Sequence, residues 1–373
     1  MGYILVTGAA GYVGAVTCQV LLENHFDVIG IDNYSSGFLQ NPPDEVTFFP
    51  IDIGDRVSLD QLFSKFPIFA VIHLAGFSVV SDSVIYPRDY FYNNLTKSLN
   101  LLDSMVGHKI DRIVFASSAA VYGDPLSSRL GEASSLNRSS PYGVSKLALE
   151  SVLKSYSVAY GLKSVSLRYF NVMGSYGKYG EIHQPETHLI PNVIRAGISE
   201  ANSLSIFCRD FPTADGTAIR DYVHVQDVAS ANIQALNVLS DLPLGAYNVG
   251  TGKGHSILEI VRLVEKILKK PLSIKYLPKR EGDQPVLVAD PTAIRRDIHW
   301  NPIHTDLEEI LFDAVSWHRS KCPSFLRGFR VKHLPTVVPF STIIELGSRL
   351  GVGRQTLNLL AEVRILAPQP LLF

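Results

Sequence analysis

The chain has 373 residues, of which 46% are hydrophobic and 18% charged, with a net charge of −1. That is ample apolar sequence for a buried core in two domains or one large one, and no charge excess draws the chain to nucleic acid or an anionic membrane. Cys18, Cys208 and Cys322 are few and widely spaced, so neither a disulfide framework nor a zinc site is indicated, no metal is expected, and the thiols suit a reducing cytosol. No apolar run reaches the roughly 18 residues that cross a bilayer, and the sequence enters its first strand at once without a signal peptide, so a cytoplasmic protein with no membrane partner is expected.

Tyr3-Ile4-Leu5-Val6 reads as a buried strand that runs into Thr7-Gly8-Ala9-Ala10-Gly11-Tyr12-Val13-Gly14, followed by a helical pattern from Ala15 to Glu23. This is a dinucleotide-binding turn. Glycines at Gly8, Gly11 and Gly14 allow a tight turn, close approach of a pyrophosphate and close packing of helix on strand, while free N–H groups at the helix start face the anion. A second apolar run, Phe26 to Ile31, ends at Asp32, placed to accept hydrogen bonds from an adenosine ribose. Its neighbour Asn33 is not an arginine, so a 2′-phosphate would find no cation, and NAD is favoured over NADP.

Alternation continues through Ala70 to Gly76, helical Tyr90 to Val106, Arg112 to Ala116, a helix bearing Tyr142, and Ser164 to Tyr169. Such alternation predicts an α/β fold, a doubly wound parallel sheet of Rossmann-like, NAD-binding type. It occupies residues 1–171, with a return segment near 221–250. Beyond Asn171 the rhythm breaks into Gly- and Tyr-rich loop, helix and short strands, which predicts a smaller mixed α/β substrate-binding lobe over 172–322. Residues 323–373 form a C-terminal extension.

Tyr142 and Lys146 stand four residues apart in Pro141-Tyr142-Gly143-Val144-Ser145-Lys146, so on a helix they share a face. A phenol is almost wholly protonated at neutral pH; an adjacent ammonium is expected to move its pKa towards working pH, so that Tyr142 can act as a base.

Several further motifs occur in order: Asp52-Ile53, His73-Leu74-Ala75-Gly76, Asn93-Asn94, Ser117-Ser118-Ala119-Ala120-Val121-Tyr122-Gly123, Leu167-Arg168-Tyr169-Phe170-Asn171, Phe211 to Thr217, Arg220 to Val225 and Arg280-Glu281-Gly282-Asp283. With the glycine turn and the Tyr142/Lys146 pair, they resemble the extended short-chain dehydrogenase/reductase family and, within it, the UDP-glucose (UDP-galactose) 4-epimerases, over residues 3 to about 320. The resemblance implies NAD contacts from Gly8, Gly11, Tyr12, Val13, Gly14, Asp32, Asn33, Asp52, Ile53, Leu74, Ala75, Gly76, Asn94, Tyr142, Lys146 and Phe170. It implies that Tyr142 takes the proton of the sugar 4-hydroxyl as the C4 hydride leaves, that the 4-keto sugar turns its other face, and that the returning hydride inverts C4. Lys146 then lowers the phenol pKa and binds the nicotinamide ribose, and Ser118 bonds the 4-oxygen; a serine at a strand end also commonly caps the next turn. For the UDP-sugar substrate it implies a diphosphate clamp of Arg220 and Arg280, a uridine-ribose acid at Asp283, uracil stacking on Phe207, and contacts from Asn171, His188, Leu189, Ser205, Tyr222 and Leu287. It further implies a homodimer through the helices near Asn94 to Val106 and Tyr142 to Tyr160.

Dehydratases and decarboxylating relatives carry acids directly after the active-site hydroxyl residue, whereas this chain has Ala119 and Ala120. Methyl groups cannot transfer protons, so elimination is disfavoured and reversible oxidation at C4 is the simplest outcome. Ser78 stands where many of these epimerases have a lysine, and His188 where asparagine is common. Leu287 stands where a tyrosine often narrows the sugar pocket, which leaves room for an N-acetyl group and hence for UDP-N-acetylglucosamine; a UDP-pentose epimerase is a further variant. The alternative class is a catalytically idle NAD-binding protein whose tail recruits a partner or DNA. Tyr142, Lys146 and Ser118 together favour the enzyme. The tail, with Arg354 to Glu362 as a would-be recognition helix, has a helix-turn-helix look but lacks the extra helix needed for a core, so no nucleic-acid partner is expected.

Overall fold

The computed structural model describes residues 2–35, 41–123, 129–136, 140–183, 186–242, 245–280 and 283–325. Seven parallel strands form the central sheet, in the order Gly245–Val249, Lys163–Tyr169, Arg112–Ser118, Ile68–His73, Tyr3–Thr7, Val28–Ile31 and Thr47–Phe49. The first strand in the chain thus lies inside the sheet, and later strands are laid down on either side of it. Where that order reverses, between Tyr3–Thr7 and Ile68–His73, a crevice opens beyond the carboxyl ends of the strands, the usual ligand position of such sheets.

Both faces of the sheet are covered, which is why its strands are near-continuous apolar runs and not alternating ones. One face packs on helices Tyr12–Glu23 and Val225–Val238 through residues such as Val16 and Ala229. The other packs on Arg56–Lys65, Lys97–Gly107 and Pro141–Tyr160 through Leu59, Leu62, Leu101, Met105, Leu149 and Leu153. Local signals set the ends of the last of these helices. Ser140 caps its start by accepting from the Gly143 N–H, Pro141 occupies the first turn, and Gly161 ends it at φ +71°.

The segment read as one helix from Tyr90 to Val106 is divided: Pro87–Phe91, a π-helical turn Tyr92–Thr96, then Lys97–Gly107. The wider turn carries Asn93 and Asn94 into the interior, where both are buried.

The lobe has its own core, with Val193, Ile260 and Leu311 from helices Leu189–Ile198, Ile257–Leu268 and Leu307–Phe325. Strand Ile219–His224 pairs with Asn171–Met173, Gly254–Ser256 and Val286–Leu287, and Ser203–Phe207 pairs with Ser273–Leu277. The expected return segment is therefore split. Strand Ile219–His224 belongs to a lobe sheet, whereas helix Val225–Val238 and strand Gly245–Val249 rejoin the main layer. Of the C-terminal extension, only its overlap with helix Leu307–Phe325 is described; the helix-turn-helix reading falls on residues outside the described set. Among the described residues, no helix is long and apolar enough to cross a membrane.

Candidate active site

At the sheet crevice the first turn is held by backbone fit. Gly8 has φ +72°, and a Cβ there would meet the backbone of Ala75. A Cβ at Gly14 would run into the Gly8 carbonyl, so Gly14 packs helix on strand and does not line the crevice. Gly11 caps helix Tyr12–Glu23, which has no side-chain cap and no acid in its first turn, leaving its N–H groups for an anion. Thr7 braces the facing loop: its Oγ1 bonds His73 Nδ1 at 2.7 Å and accepts from the N–H groups of Leu74 and Ala75 at 3.2 and 3.1 Å.

Asp32 lies at the mouth of this crevice with Gly8, Gly11, Asn33, Ile53, Leu74, Ala75 and Gly76 around it. Its carboxylate accepts from the Ala10 and Tyr34 N–H groups at 3.1 and 2.8 Å. Burial pushes its pKa up, against the pull of those backbone bonds. The crevice fits NAD: bare glycine backbone, an unfilled helix start and an acid at ribose distance, with no cation beside it for a 2′-phosphate.

Asp52 is held by Lys97 Nζ at 2.6 Å, Asn33 Nδ2 at 2.7 Å and the Gly54 N–H at 2.7 Å, so it orients Asn33 beside the crevice. Asn94 accepts from the Phe77 N–H at 2.8 Å and donates to the Phe77 carbonyl at 3.0 Å and Ser145 Oγ at 3.2 Å, clamping the Gly76–Phe77 loop. Its neighbour Asn93, quoted in the motif but given no role, lines the crevice. An Asn-Asn pair signals a polar requirement, and the π-turn brings both members inside.

A larger cavity of about 530 Å³ continues from the crevice towards the lobe. It is lined by Tyr12, Val13, Phe170, Ser118, Tyr142, Lys146, Asn171, His188, Leu189, Ser205, Phe207, Arg220, Tyr222, Arg280, Asp283 and Leu287. Every residue proposed for the sugar nucleotide thus faces one space. Glu181 and His183 face it too, without having been singled out. Ala119 and Ala120 present only methyl groups to it.

Tyr142 and Lys146 are both buried, at 8% and 5% exposure, and the Lys146 ammonium is 6.0 Å from the Tyr142 ring centre. Ser118 Oγ accepts from the Ala120 N–H at 3.2 Å and also bonds the Tyr142 phenol, so the capping and active-site readings of this serine hold together. Tyr90 sets its ring edge-on to Tyr142 with centres 6.3 Å apart.

The electrostatics differ from the expectation that Lys146 lowers the phenol pKa. Burial pushes Tyr142 up, and the opposing influence is the Ser118 hydrogen bond. Lys146 spends its ammonium on the Ala116 carbonyl at 2.8 Å and lies over the Phe115 ring at 4.9 Å; burial lowers its own pKa to about 8. Shared helix face ensures nearness, but the cost of desolvating a phenolate outweighs a cation aimed elsewhere.

Towards the lobe, Arg220 donates to its own strand's carbonyl, Ile219 O at 2.8 Å. Among the described residues it makes no ion pair, and burial pulls its pKa down. Arg280 forks onto Asp283 at 3.0 and 3.3 Å and stacks over Phe207 at 4.4 Å. Leu287 pairs in register with Arg220 on the adjacent strand. Glu281 and Gly282 of that motif lie outside the described residues.

A parallel sheet with a glycine turn, an acid after its second strand and a Tyr-Lys pair over the crevice defines a nucleotide-dependent oxidoreductase type of site. Residues 4–250 match the model of the NAD dependent epimerase/dehydratase family, and the chain belongs to that family. It is 38% identical over 311 residues, 83% of this chain and 94% of its counterpart, to a UDP-glucose 4-epimerase of Corynebacterium glutamicum. The crystal structure of UDP-glucose 4-epimerase from Brucella ovis in complex with NAD matches with a TM-score of 0.79 and 36% identity, over 85% of this chain and 98% of that one. The UDP-Glc/GlcNAc 4-epimerase of Campylobacter jejuni matches with a TM-score of 0.74 and 32% identity, over 86% and 100% respectively.

Proposed function

We propose that this chain is an NAD-dependent UDP-glucose 4-epimerase that interconverts UDP-galactose and UDP-glucose, with Tyr142, Lys146 and Ser118 at its reacting centre. The observation that carries the reading is that Tyr142, Ser118 and Lys146 meet in one cavity with Arg220, a cation without an ion pair among the described residues. NAD, when bound, supplies reversible hydride transfer. Tyr142, through its bond to Ser118, is placed to take and return the proton of the sugar 4-oxygen. Lys146 fixes the Ala116 carbonyl at the strand end and presents its remaining N–H groups to the crevice. Ala119 and Ala120 offer no second acid, so the 4-keto sugar is kept from elimination and reduced again.

Arg220 fits a diphosphate, since a buried guanidinium without a carboxylate is stabilised by a dianionic partner. Arg280 exchanges Asp283 for a phosphate, which frees Asp283 for the uridine ribose, while Phe207 offers a ring to the base. A coupled assay over a panel of UDP-sugars tests this function: turnover of UDP-galactose to UDP-glucose is expected, and a purified NAD-containing protein inert to both would refute it.

The phenol acts as its anion, so activity rises with pH through the Tyr142 pKa. Ser118→Ala removes the contact that holds this pKa down, so the variant should slow turnover and displace the rising limb of the pH–kcat profile to higher pH. An unchanged profile would remove Ser118 from the proton path.

Leu287 is shorter than a tyrosine and has no hydroxyl, so turnover of UDP-N-acetylglucosamine is expected beside that of UDP-glucose. Leu287→Tyr should depress activity on the N-acetylated sugar by about 10- to 200-fold, the range for one enlarged pocket wall, while sparing UDP-galactose. Equal loss on both sugars would place Leu287 in the fold and not at the pocket.

The proposed assembly is a homodimer through helices Lys97–Gly107 and Pro141–Tyr160, where Val158 and Tyr160 on the second helix, and Tyr92 on the π-turn before the first, leave apolar surface exposed. Light scattering at micromolar concentration should give twice the chain mass; a monomer would rule it out. The free, buried thiols of Cys18 and Cys208 suit work in the cytoplasm.

A further inference from the structure

We propose that Glu181, His183 and His188 form a binding site for a divalent transition-metal cation in the wall of the sugar-nucleotide cavity. One donor atom from each lies within 4.8 Å of the other two. Glu181 Oε1 is 3.9 Å from His183 Nδ1 and 3.6 Å from His188 Nδ1. Donors around a tetrahedral ion with bonds of about 2.0–2.1 Å stand roughly 3.3 Å apart, so closing on a metal requires side-chain shifts of up to about 1.5 Å from the 4.8 Å limit, within the reach of rotamer adjustment.

Two features set this group apart from a chance meeting of polar side chains. His183 Nδ1 is fully buried and has no hydrogen-bond partner among the described residues, and a buried ring nitrogen left so is costly unless something occupies it. The histidines are also held in place. Glu186, whose side chain is 1% exposed, accepts from the N–H groups of His183 and His188 at 3.0 Å each and bonds the His188 ring at 2.9 Å. Glu186 thus fixes the backbone of both histidines and the orientation of the His188 ring.

The donor set names the ion class. Two imidazoles and one carboxylate suit Zn²⁺, Co²⁺ or Ni²⁺, whereas Mg²⁺ and Ca²⁺ require oxygen ligands throughout. Three protein ligands leave a coordination position free, and all three residues line the cavity, so that position opens to solvent or a bound ligand. The site stands independently of the epimerase reading, because it is measured without any sugar nucleotide.

The test uses the full NAD-loaded chain titrated with Co²⁺, followed by calorimetry and by visible d–d absorption. One saturable site per chain is expected, displaced by Zn²⁺ and indifferent to Mg²⁺. His183→Gln and Glu181→Gln should each weaken cobalt binding at least tenfold while retaining NAD and the wild-type melting temperature, which shows that the fold survives. No saturable cobalt spectrum with the wild type would overturn the proposal. Wild-type affinity in either folded variant would overturn it equally, since the cation would then sit elsewhere.

Discussion

Tyr142→Phe should lower turnover of UDP-galactose by about 10²–10⁴-fold, the contribution of a positioned proton carrier, with NAD still bound. The substitution removes one oxygen and almost no volume from a side chain whose ring is already fixed by Tyr90 and by the wall of the cavity, so packing and the crevice stay as they are. Ser118 remains, but a serine hydroxyl without the phenol has no basic partner to pass a proton to. The effect should fall on kcat and leave KM little changed, because the phenol acts in the transition state more than in binding. Turnover within threefold of the wild type would place the base elsewhere.

The second large effect is on stability. Beneath the site, Glu150 and Arg168 form a two-pronged pair at 3.0 and 2.7 Å, both 4% exposed, with Ser117 and Tyr122 completing the network. Glu150→Ala leaves the guanidinium buried without its carboxylate and should cost about 3–5 kcal/mol, the range for a buried pair broken on one side. The denaturant midpoint should fall at constant slope. Glu150→Gln retains part of the hydrogen bonding and should fall between the two. A midpoint unchanged in Glu150→Ala would mean that water or another anion reaches Arg168.

The parts legible in the sequence were those written locally. Runs such as Tyr3-Ile4-Leu5-Val6 are apolar because both faces of their sheet are covered, and the glycines of the first turn report a close approach of backbones that any larger side chain would block. The Tyr142/Lys146 spacing fixed their proximity because one helix carries both. Partnership was less legible. Strand Ile219–His224 is buried along its length much as Gly245–Val249 is, yet it pairs in a lobe sheet, since burial of a strand does not state beside which neighbour it lies.

Charge behaviour was the least legible. Whether Lys146 lowers the Tyr142 pKa depends on where its ammonium points and on how dry the phenol is, and both are set by Phe115, Ala116 and Ser118 from a different strand. That Asn93 and Asn94 both turn inward rests on a π-turn that propensity does not encode. The grouping of Glu181, His183 and His188 gave no cysteine signal of the kind that marks zinc sites, because its donors are imidazoles and a carboxylate.

The central claim is that C4 of the sugar loses and regains its own hydrogen inside one closed site. UDP-galactose carrying deuterium at C4 tests it directly, with the product followed by NMR. Deuterium retained at C4 of the UDP-glucose formed, with no keto sugar released and no reduced cofactor left over, is the predicted result. Loss of the label to solvent, or a stoichiometric oxidised sugar in place of UDP-glucose, would contradict it.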